Sequence, residues 1–390
     1  MNGRIAPRAA LAAAGLLTAV ACGPAGAEAG ASAGVTELEQ VVPFGADDLL
    51  HDVRDVAVDD SGRVWVLAGM EPFVRIYSAD GALVRRFGRP GGGPGEVRNP
   101  WSLFVTGDAA APVGVWDVGN RRLVTYSAAG APVGTTAVDV TPGVVRADIR
   151  DIAYGSVSAL RGWGSSLLLQ DEPRGVIEPA ALLHSRLVKL DRSGRTEATV
   201  VDFGERHHRQ TASLGMASAL VPVPLWAICP ESRLVVLDPF TPALEWYDAA
   251  GRPQARLAVQ VPQRRLGEDD IRAYLSHVVG LETRGAAIDP DVVEKRVEQI
   301  ARSQRHRFPR NAPPAVSLLC DSRGQVWLQQ FSTADHPLGY GREWIVVDPR
   351  GASRRVRFPP GFQPRAFTRA AAVGVRTDSL DVQQIATVPL

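Results

Sequence analysis

The chain has 390 residues, of which 45% are hydrophobic and 22% are charged. This composition is normal for folded proteins and excludes disorder or a multi-span membrane protein over most of the length. Its 43 lysine and arginine residues nearly balance 42 aspartate and glutamate residues, giving a formal net charge of +1, so charge gives no reason to expect nucleic acid or an anionic membrane as a partner.

The first 35 residues have the pattern of a targeting segment. Two arginines precede an apolar run at residues 9–21, which is too short to span a membrane, and small residues then precede Cys22. This arrangement resembles a bacterial lipoprotein signal. The resemblance implies removal of residues 1–21, acylation of Cys22 and an extracytoplasmic, lipid-anchored protein of the cell envelope. Without acylation, the protein would be periplasmic or secreted. Residues 22–35 predict a flexible tether.

Two short sequence elements recur in the body of the chain. In the first, an apolar strand end is followed by a polar turn that closes on glycine: Gly81, Gly130, Gly194, Gly251 and Gly351. Glycine supplies the positive φ that a tight hairpin requires. In the second, a strand turns through an Asp-Ser pair into a strand with tryptophan, at residues 56–66 and again at 316–328. Together the two elements give four antiparallel strands in each repeat.

Four-stranded sheets repeated around an axis are typical of a β-propeller. A sixth, weaker repeat at residues 366–389 has no outer strand, and the segment 35–44 can supply one and so close the ring. We therefore predict an all-β fold, a six-bladed β-propeller of four-stranded antiparallel blades over residues 36–390. Five or seven blades, or a pair of β-sandwiches, are the alternatives.

Residues 264–308 interrupt the strand pattern between the fourth and fifth repeats. Apolar residues recur there at helical spacing in two runs, the first preceded by an acidic cluster at 268–270 and the second by Asp289-Pro290. Acidic residues and an Asp-Pro pair are both typical of helix N-termini. The pattern predicts a short two-helix insertion between blades four and five.

The segment 53–130 carries the strongest family signal. It combines a glycine-rich connection at 88–97 with a Trp-Asp-Val-Gly-Asn-Arg run at 116–121 and the Gly130 turn. These motifs resemble the NHL-repeat and TolB-like propellers, and more closely the bacterial six-bladed β-propeller lipoproteins. The resemblance implies a six-bladed, extracytoplasmic propeller and no particular reaction.

The candidate site is the face where each outer strand connects to the next inner strand, because these connections are the longest irregular segments of the chain. Two of them enter an inner strand through similar hexapeptides, Asp-Val-Arg-Asp-Val-Ala at 52–57 and Asp-Ile-Arg-Asp-Ile-Ala at 148–153. Paired arginine and aspartate there could bind a carboxylate or a sugar, or could simply pair with one another. The candidate channel-mouth residues are Arg54, Asp55, Trp101, Arg150, Asp151 and His207.

We predict no catalytic residue, no metal site and no cofactor. No His-x-His, His-Glu-x-x-His or local Ser/His/Asp pattern is present, and the adjacent His207 and His208 would point to opposite sides of a strand. The predicted function is a binding module for a peptide, a glycan or an envelope protein, with membrane contact only through the lipid anchor. The alternative is a metal-dependent hydrolase or lyase, lactonase-like or esterase-like, with Ca²⁺ at the central channel.

Two cysteines follow Cys22, namely Cys229 and Cys320. Each lies at the end of a similar strand in a different repeat, which indicates equivalent but separated positions. An extracytoplasmic location would permit a disulfide. The sequence nevertheless favours two buried free thiols.

Overall fold

The structure, a computed structural model of the chain, describes residues 34–45, 50, 52–138, 160–171, 186–203, 220, 222, 224–238, 242–282, 289–303, 305 and 308–390. Within these residues seven sheets are present, six of which contain four antiparallel strands, together with two α-helices. The six sheets with four antiparallel strands are the blades of the predicted propeller, so the fold class is confirmed.

The first three blades follow two short N-terminal strands, β1 (Val35–Glu37) and β2 (Val42–Pro43). Blade one contains β3 (Val53–Val58), β4 (Val64–Ala68), β5 (Val74–Tyr77) and β6 (Leu83–Phe87). A small parallel pair, β7 (Arg89–Pro90) and β8 (Glu96–Val97), lies in the connection to blade two. Blade two contains β9 (Pro100–Val105), β10 (Val113–Asp117), β11 (Arg122–Tyr126) and β12 (Pro132–Ala137). Blade three contains β13 (Leu160–Trp163), β14 (Ser166–Asp171), β15 (Arg186–Leu190) and β16 (Thr196–Asp202).

The last three blades include the helical insertion. Blade four contains β17 (Leu225–Cys229), β18 (Arg233–Asp238), β19 (Ala243–Tyr247) and β20 (Pro253–Ala258), with a 3₁₀ turn at Pro230–Ser232. The insertion contains α1 (Glu268–Glu282) and α2 (Pro290–Ser303). Blade five contains β21 (Ser317–Cys320), β22 (Val326–Phe331), β23 (Tyr340–Val347) and β24 (Ser353–Arg357). Blade six contains β25 (Phe362–Phe367), β26 (Ala371–Thr377) and β27 (Gln383–Pro389), so it begins at Phe362 rather than at residue 366.

The recurring turns fold as their sequences predict. All five turn glycines have positive φ, between 74° and 93°. The two Asp-Ser turns each direct a carboxylate at a buried tryptophan: the Trp65 indole N–H donates to Asp59 at 2.9 Å, and the Trp327 indole N–H donates to Asp321 at 3.0 Å. Each turn therefore joins two strands and also fixes a large core side chain.

Apolar cores between neighbouring blades hold the ring together. Six hydrophobic clusters of buried residues each lie between two adjacent blades. In the cluster that joins blade six to blade one, Val56 of β3 packs with Val373 of β26 and Ile385 of β27. Contact between the last blade and the first shows that the ring is closed.

The N-terminal segment completes the closure. As predicted, it pairs with the C-terminal strand, because β2 forms the outer strand of blade six next to β27. Strand β2 pairs through Val42 and Pro43, and an isolated bridge joins Leu50 to Gln383. In contrast, β1 joins the outer edge of blade five, parallel to β24. A Glu37–Arg357 ion pair of 2.6 Å connects β1 with β24. The segment therefore spans the edges of two blades.

The predicted insertion is confirmed, with α1 beginning at the acidic cluster and α2 beginning at Pro290. Buried Asp270 connects it to the propeller: its carboxylate accepts from Arg264 at 2.6 Å, from Gly267 N–H at 2.8 Å and from the Thr333 hydroxyl of blade five. Burial acts to raise the Asp270 pKa, but these hydrogen bonds outweigh it and lower the pKa. Among the described residues, no helix has the length and hydropathy needed to cross a membrane.

The prediction of two free thiols is wrong, because Cys229 and Cys320 form a disulfide with a Cα–Cα distance of 5.3 Å. The positions are equivalent, as predicted, since each cysteine ends the innermost strand of its blade. They are not separated, because the innermost strands of blades four and five pack side by side around the channel. Equivalent positions in adjacent blades of a propeller therefore lie close enough to be bridged.

Candidate functional site

The innermost strands of the six blades surround a central cavity of about 460 Å³, to which every blade contributes lining residues. Each innermost strand pairs on one side only, so its other edge presents backbone N–H and C=O groups to the channel. In an antiparallel four-stranded blade, the connection into the first strand and the loop between the second and third strands lie at the same end. These segments form the channel mouth.

Three innermost strands carry a one-residue β-bulge. The extra residue is Arg54 in β3, Trp101 in β9 and Arg365 in β25, because each is skipped in the pairing with the second strand of its blade. A bulge redirects a side chain relative to the regular alternation of a strand. All three residues line the cavity, and their blades are consecutive around the ring.

Arg54 joins blade one to blade two. Its guanidinium pairs with Asp52 at 3.1 Å and donates to the Asn99 side chain at 2.8 Å and to the Pro100 carbonyl at 2.6 Å. It lies 6.0 Å from the Trp101 ring centroid, and only 7% of its side chain is exposed. Of the two interpretations of the sequence, arginine–aspartate pairing therefore describes Arg54. Its main role is to hold the channel mouth of blades one and two in position.

Asp55 joins blade one to blades two and three. Its carboxylate accepts the Leu103 backbone N–H at 2.9 Å and pairs with Arg161 of β13 at 3.0 Å. The Asp55 side chain is 14% exposed and that of Arg161 is 31% exposed. Arg161 is thus a cation that is held by the scaffold and still accessible from the cavity.

The wall formed by blades four and five is different. None of its described lining residues is charged, and it includes Leu225, Trp226 and Leu318. Trp226 donates its indole N–H to the Gln170 side chain of blade three at 2.8 Å. The cavity is therefore amphipathic, with ion pairs along blades one to three and apolar side chains along blades four and five.

The structure brings three of the predicted residues, Arg54, Asp55 and Trp101, into one cavity. Arg150, Asp151, His207 and the lipidation site Cys22 lie outside the described residues, so their assignments stay predictions. Around the described part of blade three, Arg161 is the arginine that lines the cavity.

Sequence reasoning missed Arg161, Arg365, Gln170 and Trp226. Arg365 lies one residue before the predicted start of blade six, so a strand prediction with a slightly earlier start would have included it. Arg161 and Gln170 follow connections in which the sequence has no repeat signal that fixes the strand start. Their place in the channel depends on pairing register, which a single sequence specifies weakly.

A metal ion does not fit the two carboxylates that line the cavity. Asp52 faces Arg54 and Asp55 faces Arg161, so each negative charge is already balanced by an arginine. Across the part of the chain that the structure describes, no three histidine, cysteine, aspartate or glutamate side chains converge as metal ligands.

A histidine pair lies beside blade five, under the insertion. His336 in the loop after β22 packs against His277 of α1 and against Tyr340, with ring-centroid distances of 6.2 and 5.3 Å. Burial, followed by the charges of His277 and Arg365, lowers the pKa of His336 to about 4, although Asp381 acts in the opposite direction. His336 is therefore a neutral imidazole at neutral pH.

The geometry defines a six-bladed β-propeller with an amphipathic channel. Comparisons with known proteins add similarity of fold only. No protein-family model matches the sequence, and no curated protein matches it. Solved structures do match. A member of the DUF4221 family from Bacteroides vulgatus is 12% identical, with 90% of this chain and 96% of that chain covered and a TM-score of 0.48.

Two further structures illustrate the range of these matches. A putative exported protein from Bacteroides fragilis is 9% identical, with 91% and 98% of the two chains covered and a TM-score of 0.48. Regucalcin from Agrobacterium tumefaciens, a calcium-binding protein, is 12% identical, with 92% and 97% covered and a TM-score of 0.44. At such identities the matches concern chain topology only.

Proposed function

We propose that this chain is an extracytoplasmic, lipid-anchored binding module that holds a peptide, a glycan or an envelope protein at its channel mouth. The observation that carries the proposal is the convergence of Arg54, Asp55, Trp101 and Arg161 on one cavity. Function in propellers concentrates where loops and strand ends meet on a rigid scaffold. The cavity volume also falls within the roughly 300–1,000 Å³ that is usual for ligand sites.

A binding experiment tests the site. Purified mature protein is titrated with defined panels of envelope peptides, glycans and peptidoglycan fragments, and tryptophan fluorescence is recorded because Trp101 and Trp226 line the cavity. We expect a saturable change with at least one panel member, weakened at least tenfold in Trp101→Ala. The matched control is Arg195→Gln in an exposed turn. Binding that Trp101→Ala leaves unchanged would place the site elsewhere.

A fractionation experiment tests the anchor. The wild-type chain should incorporate labelled palmitate and remain with the membrane fraction, whereas Cys22→Ser should lose the label and appear in the soluble extracytoplasmic fraction. Membrane association of the Cys22→Ser variant would contradict lipid anchoring.

The alternative function, a metal-dependent hydrolase or lyase, gains no support from the described residues, since both cavity carboxylates pair with arginines. Metal analysis of the purified protein separates the two hypotheses. A stoichiometric ion whose removal abolishes ligand binding or ester hydrolysis would favour the enzyme.

A further inference from the structure

The charged side chains of the cavity are unevenly distributed. Three arginines, Arg54, Arg161 and Arg365, line it together with only two carboxylates, Asp52 and Asp55. Both carboxylates are already paired with arginine. The described lining therefore offers more arginine N–H donors than carboxylate acceptors, which suits a ligand that carries acceptor oxygens.

Among these arginines, Arg161 is the one best placed to bind a ligand. It donates to Asp55 and to the Leu160 carbonyl. A guanidinium has five N–H donors in a planar fork, so donors remain for a further acceptor. Planar, two-point recognition of a carboxylate is the interaction for which arginine is best suited. Arg54, in contrast, is nearly buried and donates to three groups of its own scaffold.

Apolar surface lies close to this cation. Blade three stands between blades two and four, so Arg161 has Trp101 on one side and Trp226 on the other, and the wall beyond is formed by Leu225 and Leu318. A bare inorganic anion would leave this wall uncovered. A hydrocarbon would desolvate Arg161 without compensation, which is costly.

We infer that the cavity binds a monocarboxylate with an aromatic or branched apolar body, its carboxylate on Arg161 and its apolar part against Trp226 and the wall of blades four and five. This inference rests on the proposed binding function and deepens it. The ligand is either a free acid or the C-terminal residue of a peptide, since the two share this chemistry.

Paired probes that differ in one charge test the inference. N-acetyl-L-phenylalanine and N-acetyl-L-phenylalaninamide are titrated into the mature protein by isothermal calorimetry. We expect the acid to bind at least tenfold more tightly than the amide. A hexapeptide that ends in phenylalanine with a free carboxylate is the third probe: tighter binding than the free acid identifies a peptide terminus, and weaker binding identifies a free acid.

Variants assign the preference to Arg161. Arg161→Gln leaves the Asp55 carboxylate without its cation, so the test variant is Asp55→Asn with Arg161→Gln, which keeps the pair neutral. It should abolish the tenfold preference of the site for the acid over the amide. Trp226→Leu should weaken acid and amide equally, and Arg195→Gln should alter neither.

Equal binding of acid and amide, or no binding of any of the three probes at their solubility limits, would overturn the inference. The proposed function would survive either result if a panel peptide or glycan still bound in a manner sensitive to Trp101→Ala. If Trp101→Ala affected no binding at all, the proposed function would fail as well.

Discussion

The two walls of the channel are built differently. Along blades one to three, polar contacts cross from blade to blade: Arg54 reaches Asn99, Asp55 reaches Arg161, and the Ser102 hydroxyl donates to the Leu160 carbonyl at 3.2 Å. Between blades four and five, a shared apolar core and the Cys229–Cys320 disulfide form the connection. Neighbouring innermost strands can thus be joined by either kind of contact.

Strand regularity follows this division only in part, because blade three belongs to the polar wall and has a regular innermost strand. The innermost strands of blades six, one and two contain bulges, whereas the pairings of β13, β17 and β21 with their neighbours are regular. Bulges place functional side chains at the cost of ladder regularity. We infer that the apolar core and disulfide between blades four and five contribute more to stability than the polar contacts along blades one to three, and the following experiments test this difference.

Removing the disulfide should have the largest effect on stability. It closes a loop of 91 residues, and a cross-link of that size restricts the unfolded chain by about 4–5 kcal/mol in the chain-entropy model, with 2–5 kcal/mol typical for native disulfides. We expect Cys229→Ala with Cys320→Ala to lower the free energy of unfolding by about 2–5 kcal/mol. Denaturant unfolding measured by circular dichroism checks this value.

Reduction provides the control. Dithiothreitol should destabilise the wild-type chain to about the level of the double variant and should leave the variant unchanged. If reduction does not alter wild-type stability, the apolar wall does not depend on its cross-link.

Removing a polar contact between blades one and three should lower the free energy of unfolding by less than removing the disulfide. Asp55→Asn removes the charge that pairs with Arg161 and leaves the Leu103 N–H with a neutral acceptor. We expect a loss of about 1–2 kcal/mol, because hydrogen bonds to a charged group contribute about 1.5–3 kcal/mol and neutral ones about 0.5–1.5 kcal/mol. A double-mutant cycle with Arg161→Gln should give a coupling energy of at least about 0.5 kcal/mol. Strict additivity of the two single changes would show that the cross-blade pair contributes nothing.

The sequence predicts the apolar framework well. Turn glycines and Asp-Ser turns are local signals, and they located five repeats because each requires only its own few residues to fold. The helical spacing around Ile271 and Val297 likewise located the insertion. The turn signals and the helical spacing each depend only on nearby residues, so they can be recognised without knowing how the ring assembles.

The features that depend on three-dimensional pairing were not predictable. Arg54 and Arg365 each occupy a bulge because of the register between the first and second strands of their blades. Local sequence does not fix that register. The Cys229–Cys320 bridge depends on how closely the innermost strands of two consecutive blades approach each other, which the predicted order of the blades does not give. The sequence therefore located the mouth of the channel but not the contacts between its walls.

Acid should weaken the junction between blade five and the insertion. His336 has a pKa lowered to about 4 in the folded state against 6.5 normally. Between these pH values the unfolded state binds more protons, so stability falls as pH decreases from about 6.5 toward 4. We expect His336→Gln to reduce the fall in thermal midpoint over this pH range. The control Arg195→Gln, in an exposed turn, should retain the wild-type pH dependence. A wild-type profile in His336→Gln would contradict this role.

The smallest expected effect concerns the N-terminal segment, which joins blades five and six on the outside of the ring. Arg357 pairs with Glu37 at 2.6 Å, but both side chains are substantially exposed, at 36% and 46%. Exposed ion pairs contribute about 0–1 kcal/mol, less at high salt. Glu37→Gln should therefore lower stability by under about 1 kcal/mol, with the difference disappearing in 1 M NaCl.

Glu343→Gln provides the matched comparison, because Glu343 contacts the same Arg357 at 3.2 Å as well as Arg355, and its side chain is only 17% exposed. It should cost more than Glu37→Gln and should keep part of its effect in salt. If the two variants lose equal stability and salt does not change the loss, the Glu37–Arg357 pair stabilises the chain as much as the more buried contacts of Glu343. The N-terminal segment would then contribute to the stability of the ring as much as the strands inside it.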